Sequence, residues 1–296
     1  MKYYCVETIK ELKKTMASER SYITHVQTQE ESLPYYQKAK LFVQCGIVCL
    51  EFFFLQFVCV LMLRAFGVRE YFIQSLAVTT VVIGFMFTRN DNSKEKITVE
   101  RFIQEITEIK GGSANIKYVV YAFVGYVGLL GLRFLLNTFN IDESPLYDNF
   151  YKDDQFDISM VLDSVLFSVI TEEIALRRSL FNTTKKYTPQ WRNYLYPMSA
   201  LWFGLIHFVN IGTSSFTNVY VFYQMGYGMV MGYFFAIFTD KLGIFPTLVV
   251  HFCNNVTAIF MPFTLSFFLV FYSVISAAIL GLISIKLLKI DNNKTD

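Results

Sequence analysis

Long apolar runs recur along the chain, cut by short polar stretches. A helix needs about 20 mostly apolar residues to cross the hydrocarbon core of a bilayer. Runs of that kind fall near 41–63, 71–88, 118–138, 158–179, 195–211, 218–238, 244–261 and 263–287. The pattern predicts an all-α integral membrane protein with about eight transmembrane helices. The second, fifth and seventh segments are short, and Pro197 stands near the start of the fifth. No internal repeat or low-complexity linker breaks the run of segments. The expected layout is a polar N-terminal segment at 1–40, one transmembrane domain at 41–288 and a tail at 289–296.

One inner stretch has a different period. Val99, Phe102, Ile103, Ile106 and Ile109 recur at helical spacing, with Glu100, Glu105, Glu108 and Lys110 between them and Gly111–Gly112 after them. This reads as an amphipathic helix on the inner leaflet. The competing reading is a helix packed on the protein itself.

Charge orients the segments. With the N-terminus inside, the stretches 1–40, 89–117, 177–193, 239–243 and 286–296 hold 22 of the 26 Lys and Arg. Cytoplasmic loops carry such an excess, so both termini are expected in the cytoplasm. Arg133 lies near the outer end of the third segment, where a long cation can snorkel to the headgroups. The outer loop 140–157 is acidic, with Asp142, Glu143, Asp148, Asp153, Asp154 and Asp157. Asp163, near the outer end of the fourth segment, is expected to face the headgroups.

Composition supports the same solvent. The chain has 296 residues, of which 54% are hydrophobic and 17% charged, against about 25% charged in soluble domains. A net charge of +2 gives no footprint for a nucleic-acid partner. Cys5, Cys45, Cys49, Cys59 and Cys253 form no CxxC pair, so neither a disulfide framework nor a cysteine zinc site is expected. The polar first thirty residues leave no room for an ordinary cleaved signal peptide. The first apolar segment is expected to serve as its own insertion signal, which places the protein in the cell membrane as a multi-pass chain.

Ionisable groups at membrane depth cost a few kcal/mol or more and mark function by default. The fourth segment ends in Glu172, Glu173, Arg177 and Arg178; the fifth holds Phe203 and His207; the seventh holds His251, Asn254 and Asn255. Glu173 and Arg177 share a helix face at a spacing of four. Phe203–His207 and His251–Asn255 repeat that spacing. Glu172 is turned about 100° from Glu173, so the two carboxylates need not face one partner. Brought together, a carboxylate, two imidazoles and an amide suit hydrolysis of an amide bond. The carboxylate takes a proton from water, and imidazole and amide groups stabilise the oxyanion. Glu172, His207 and His251 could equally hold zinc, and the residues alone leave both open. Glu51, in the first segment, has no assigned role. His25 reads as a solvated residue of the polar N-terminal region.

The motifs EExxxR (Glu172, Glu173, Arg177), FxxxH (Phe203, His207) and HxxxN (His251, Asn255), in this order, resemble the CPBP family of intramembrane proteases. These are the CAAX-processing and bacteriocin-processing enzymes, also called Abi proteins. The resemblance covers roughly 155–262, with a catalytic core at 158–262. It implies Glu172 as general base, Glu173 and Arg177 as supports at the helix end, His207 on the attacking water, and His251 with Asn255 as the oxyanion site. Members have been described both as metalloproteases and as glutamate peptidases with no obligate metal. The reading adopted is metal-free and without cofactor, with zinc at Glu172, His207 and His251 as its alternative. Many members carry Gly after the motif arginine, where this chain has Arg178. The implied substrate is a peptide or membrane-protein precursor, such as a bacteriocin or pheromone precursor, with self-immunity as a related role.

Two other functions compete. A non-catalytic membrane scaffold or immunity protein with the same fold would not need Glu172, His207 and His251 together. A transporter would also bury ionisable groups, but inverted repeats and paired broken helices are absent from the sequence.

Overall fold

The structure, a computed structural model, describes residues 35–67, 71–89, 98–137, 151–152, 155–156, 158–187, 191–211, 218–261 and 266–292. His25, Cys5, most of the acidic outer loop and most of the 1–40 segment lie outside these residues. Two compact units divide at Phe42/Val43. Of the first unit, the described residues are the opening turns of one helix. The second unit holds the site described below.

Each apolar segment falls on a helix. In chain order these are α1 (Tyr35–Ala65), α2 (Tyr71–Arg89), α3 (Val99–Thr107) and α4 (Ser113–Asn137). Next come α5 (Ile158–Leu162), α6 (Ser168–Glu173) and α7 (Leu180–Tyr187), then α8 (Trp191–Leu205), α9 (Asn218–Leu242), α10 (Ile244–Ile259) and α11 (Phe267–Asn292). One departure from the all-α expectation is a two-residue antiparallel ladder before α5, pairing Tyr151 with Phe156 and Lys152 with Gln155.

Among the described residues, four helices are long and apolar enough to cross a membrane: Tyr35–Ala65, Asn115–Leu136, Asn218–Leu242 and Phe267–Lys289. Their outward faces are apolar. Phe54, Phe222, Val274 and Leu282 are all more than half exposed, whereas Glu173, Arg177, Ser179, Thr247 and Ser276 are buried. A soluble domain has the opposite distribution. This is a multi-pass membrane protein whose polar groups face inward.

Two helix pairs set the site. The α8–α9 pair is close because small residues face each other: Ala200 and Gly204 on α8, Gly228 and Gly232 on α9. A Cβ at Gly232 would lie 2.7 Å from Phe203 Cβ and 3.1 Å from Ala200 Cα. Small residues let membrane helices approach in this way. The second pair is α9–α10, joined at Gly243. Its φ of +105° suits glycine, and it turns the chain back within one residue.

Helix α3 docks on the protein. Arg178 donates through Nε to Glu105 Oε2 at 2.9 Å, and its guanidinium lies 5.8 Å over the Phe102 ring. Beyond α3, Lys110 caps the C-terminus of α9. Its N–H bonds Leu242 O at 2.8 Å, and its Nζ reaches Thr239 O and Asp240 O at 3.0 and 3.2 Å. Gly111 and Gly112, both at positive φ, turn the chain into α4. Ile103 on the far side stays more than half exposed.

Two sequence expectations are corrected. Arg133 does not snorkel: it is buried, donates Nε to Phe260 O at 3.0 Å and stacks 5.6 Å over Phe268. A carbonyl left open at the end of α10 offers it a partner inside the protein. Asp163 does not face the headgroups either; it is half-buried and hydrogen-bonded to Ser75 of α2.

Candidate active site

The fourth apolar segment is one rod, α5 to α7, carrying two wide turns. Asp163–Phe167 and Ile174–Ser179 are π-helical, and the backbone stays right-handed at each junction. Such π turns are rare and recur at functional sites. Here they flank the single α-helical stretch, Ser168–Glu173, that carries Glu172 and Glu173. The first turn has a local consequence. The Ser168 N–H bonds Asp163 O instead of Ser164 O, its usual α-helical acceptor. The Ser164 carbonyl accepts the Asn255 amide instead, with Nδ2 at 3.0 Å.

Both carboxylates meet the ring of His251. Glu173 Oε1 lies 2.8 Å from His251 Nδ1, and Glu172 Oε2 lies 3.8 Å from Nε2. Glu173 is fully buried and also pairs with Arg177, Oε2 to Nε at 3.3 Å. The expected Glu173–Arg177 pair is therefore present, but Glu173 has a second partner in the histidine. That contact holds the ring so that Nε2 faces Glu172. Glu172 keeps 16% of its side chain exposed. It is the carboxylate of the two that retains access.

Arg177 is fully buried, and its Nη1 and Nη2 have no hydrogen-bond partner among the described residues. Aromatic rings hold it instead: the guanidinium lies 4.5 Å from the Phe203 centroid and 5.6 Å from that of Phe235. A desolvated cation over two ring faces gains more than a solvated one. Phe203 is the hub of the site. Edge-to-face contacts place its ring 5.6 Å from His207 and 5.5 Å from His251. Phe235 lies 4.7 Å from His251. His207 belongs to a 3-10 turn, Ile206–Asn210, that ends the α8 segment. It rests on Gly228, where a Cβ would come within 2.9 Å of His207 Cδ2.

The structure thus brings Glu172, Glu173, Arg177, Phe203, His207 and His251 around one aromatic centre. Asn255 sits one turn beyond His251 on α10, at the first wide turn. The neighbouring Asn254 is buried in a cluster of hydroxyls. Its Oδ1 accepts from Tyr227 and Tyr272 at 2.8 Å each and from Tyr126 at 3.2 Å.

Residues 154–257 match the family model described as type II CAAX prenyl endopeptidase, Rce1-like. The match covers about a third of the chain and agrees with the resemblance carried by the three motifs. No curated protein and no solved structure matches the chain. The Rce1-like segment contains all three motifs, from Glu172 to Asn255. It also contains the two wide turns, the three glycines of the α8–α9 contact, and Phe235. The family is one of proteases, which supports a protease here.

Among the described residues, no three His, Cys, Asp or Glu side chains are grouped to hold a metal ion. His251 Nδ1 is engaged by Glu173, which leaves Nε2 directed at Glu172; a carboxylate on the far nitrogen also orients histidines that ligate zinc, so this contact fits a water-binding and a zinc-binding role alike.

Four features escaped the sequence reading. Phe235 and the Gly228–Gly232 pair were readable in principle, the latter as a G-x-x-x-G on an apolar helix. The phenols Tyr220, Tyr223 and Tyr227 recur at helical spacing on α9. The wide turns left no sequence signal.

Proposed function

We propose that the protein is an intramembrane endopeptidase of the glutamate type. The observation that carries this reading is the division of labour between two adjacent carboxylates. Glu173 is engaged by Arg177 and His251, while Glu172 faces the same imidazole and retains access. In the proposed reaction Glu172 takes a proton from water as the oxygen attacks the scissile carbonyl carbon. His207 holds that water. The carbonyl electron pair moves to oxygen, where His251 and Asn255 donate hydrogen bonds. Collapse breaks the C–N bond, and the proton on Glu172 passes to the leaving amine. For Nε2 to donate while Nδ1–H stays on Glu173, His251 must be the imidazolium.

The chain is read as crossing the membrane about eight times with both termini cytoplasmic. The short helices α2, α8 and α10 and the α5–α7 rod would supply the spans beyond the four long ones. The proposed substrate is a peptide or membrane-associated protein precursor, reached from the bilayer. The matched family's prenyl-peptide chemistry is one candidate class, and bacteriocin or pheromone processing, or self-immunity, is another. A non-catalytic scaffold is the alternative.

The test compares peptide products in membranes carrying wild-type protein or Glu172→Gln. Glutamine keeps shape and hydrogen bonding but cannot take the proton, so a loss of about 10²–10⁴-fold is expected. Unchanged products with Glu172→Gln would end the enzymatic reading and favour the scaffold. Chelators should leave activity unchanged; metal-reversible loss would replace the glutamate mechanism with a zinc one.

A further inference from the structure

Asn255 is the proposed oxyanion donor, and an amide can serve only if its nitrogen end, not its oxygen end, faces the reacting group. The two ends are nearly equal in shape, so packing alone does not decide between them. Hydrogen bonds must. Asn255 Oδ1 accepts from Asn254 Nδ2 at 3.3 Å, and Asn255 Nδ2 donates to Ser164 O at 3.0 Å. Ser164 O is a pure acceptor and cannot pair with an amide oxygen.

The orientation of Asn254 is itself imposed. Three phenol hydroxyls, of Tyr126, Tyr227 and Tyr272, converge on its Oδ1. Ser276 Oγ ties two of them together, 2.9 Å from Tyr126 Oη and 3.0 Å from Tyr227 Oη. The Tyr272 hydroxyl also reaches the Asn254 main-chain O at 3.1 Å. With its oxygen end held by hydroxyl donors, Asn254 has its NH₂ free to meet Asn255. The cluster draws on α4, α9, α10 and α11 and lies in the interior of the bundle, where few other partners exist.

We infer that Asn254, held by Tyr126, Tyr227 and Tyr272, is a positioning residue that sets the amide orientation of Asn255. It touches no reacting atom and acts through Asn255. This inference rests on the proposed peptidase reading for its effect on activity, but not for its effect on the amide itself.

The experiment therefore has two arms, on full-length protein in nanodiscs. In the first, asparagine is labelled with ¹⁵N, and the Asn255 side-chain signal is assigned by its loss in Asn255→Ala. Wild type should give two distinct NH protons, slow to exchange. Asn254→Ala, and the double variant Tyr227→Phe/Tyr272→Phe, should broaden or merge them. An Asn255 signal unchanged in both variants overturns the inference, whether or not the protein cleaves anything. The double Tyr→Phe variant keeps both rings, and so guards against simple failure of Asn254→Ala to fold.

The second arm uses an internally quenched farnesylated CAAX peptide. Small misplacements of a catalytic group cost up to about 10²-fold, so kcat should fall about 10–100-fold in Asn254→Ala with KM little changed. In an Asn255→Ala background the same substitution should add nothing. Multiplicative losses would show that Asn254 is structural only and overturn the inference. No cleavage by wild type would instead reject this substrate class, and the labelled signal alone would then decide.

Discussion

Glu173→Gln separates what holds the site together from what performs the chemistry. Glu173 joins α6 to α10 through His251 Nδ1 at 2.8 Å and neutralises Arg177 at 3.3 Å, with both Glu173 and Arg177 fully buried. Glutamine can still accept the Nδ1–H bond through its carbonyl oxygen, so that link weakens rather than disappears. The ion pair has no such substitute. Arg177 would remain a buried guanidinium whose Nη atoms lack hydrogen-bond partners among the described residues, balanced by the faces of Phe203 and Phe235 and by the more distant Glu172. Breaking a buried pair from one side costs about 3–5 kcal/mol. For a chain of this size that corresponds to a fall in Tm on the order of 10 °C. Purified protein can be followed by thermal exposure of its buried thiols, since Cys45, Cys49 and Cys253 are free and buried. Glu173→Gln/Arg177→Met removes the stranded cation and should recover most of the lost stability. It should not recover activity, because His251 would still lack its carboxylate. A wild-type Tm for Glu173→Gln would refute the reasoning, as would a double variant no more stable than the single one.

Other outcomes are as specific. Reporter fusions at 145 and 296 should report opposite sides of the membrane; the same side for both would reject the eight-span topology. Gly228→Ala should lower activity by about tenfold or more through displacement of His207, because its Cβ would meet Cδ2 at 2.9 Å and Nε2 at 3.2 Å. Gly226→Ala, which meets nothing within 4 Å, should leave activity unchanged, and equal losses in the two would remove the geometric explanation. Asn255→Ala should cost about 10²–10³-fold in kcat, as for loss of an oxyanion donor.

What was legible in the sequence was whatever depends on local spacing. Apolar runs located the helices, because length and hydropathy are set by the bilayer. The spacing of four between Glu173 and Arg177 gave their ion pair. The relation of Glu172 to Glu173 was harder. On one ideal helix they diverge by about 100°, yet both reach His251, one at each ring nitrogen. They can do so because the imidazole stands between them. Helix docking decides that, and spacing within one segment carries no record of it. Asn254 shows the same limit. Its significance comes from tyrosines on α4, α9 and α11, separated from it by 128, 27 and 18 positions. Arg178 is intermediate. It was visible as a departure from the family pattern, and its meaning emerged only when Glu105 was found 2.9 Å away. A glycine there would leave α3 without that link.

Charge balance explains how such a site survives in an apolar surrounding. An isolated ion at this depth carries a penalty that no single contact repays. Here two carboxylates, Glu172 and Glu173, face one guanidinium and one imidazole. When His251 holds its second proton the four groups sum to zero, and each negative group lies within 3.8 Å of a positive one. The pairing is asymmetric. Glu173 is bound on both sides, whereas Glu172 touches only Nε2, at a distance too long for a direct hydrogen bond. The looser carboxylate is also the more exposed one, so the same asymmetry that stabilises the cluster leaves one base able to exchange a proton with water. The proposed roles are not interchangeable. If Glu173 were the base, each proton it took up would neutralise the partner of Arg177 and strand a cation in the core on every turnover. In the proposed reaction the proton goes to Glu172 instead, and the Arg177–Glu173 pair stays intact throughout.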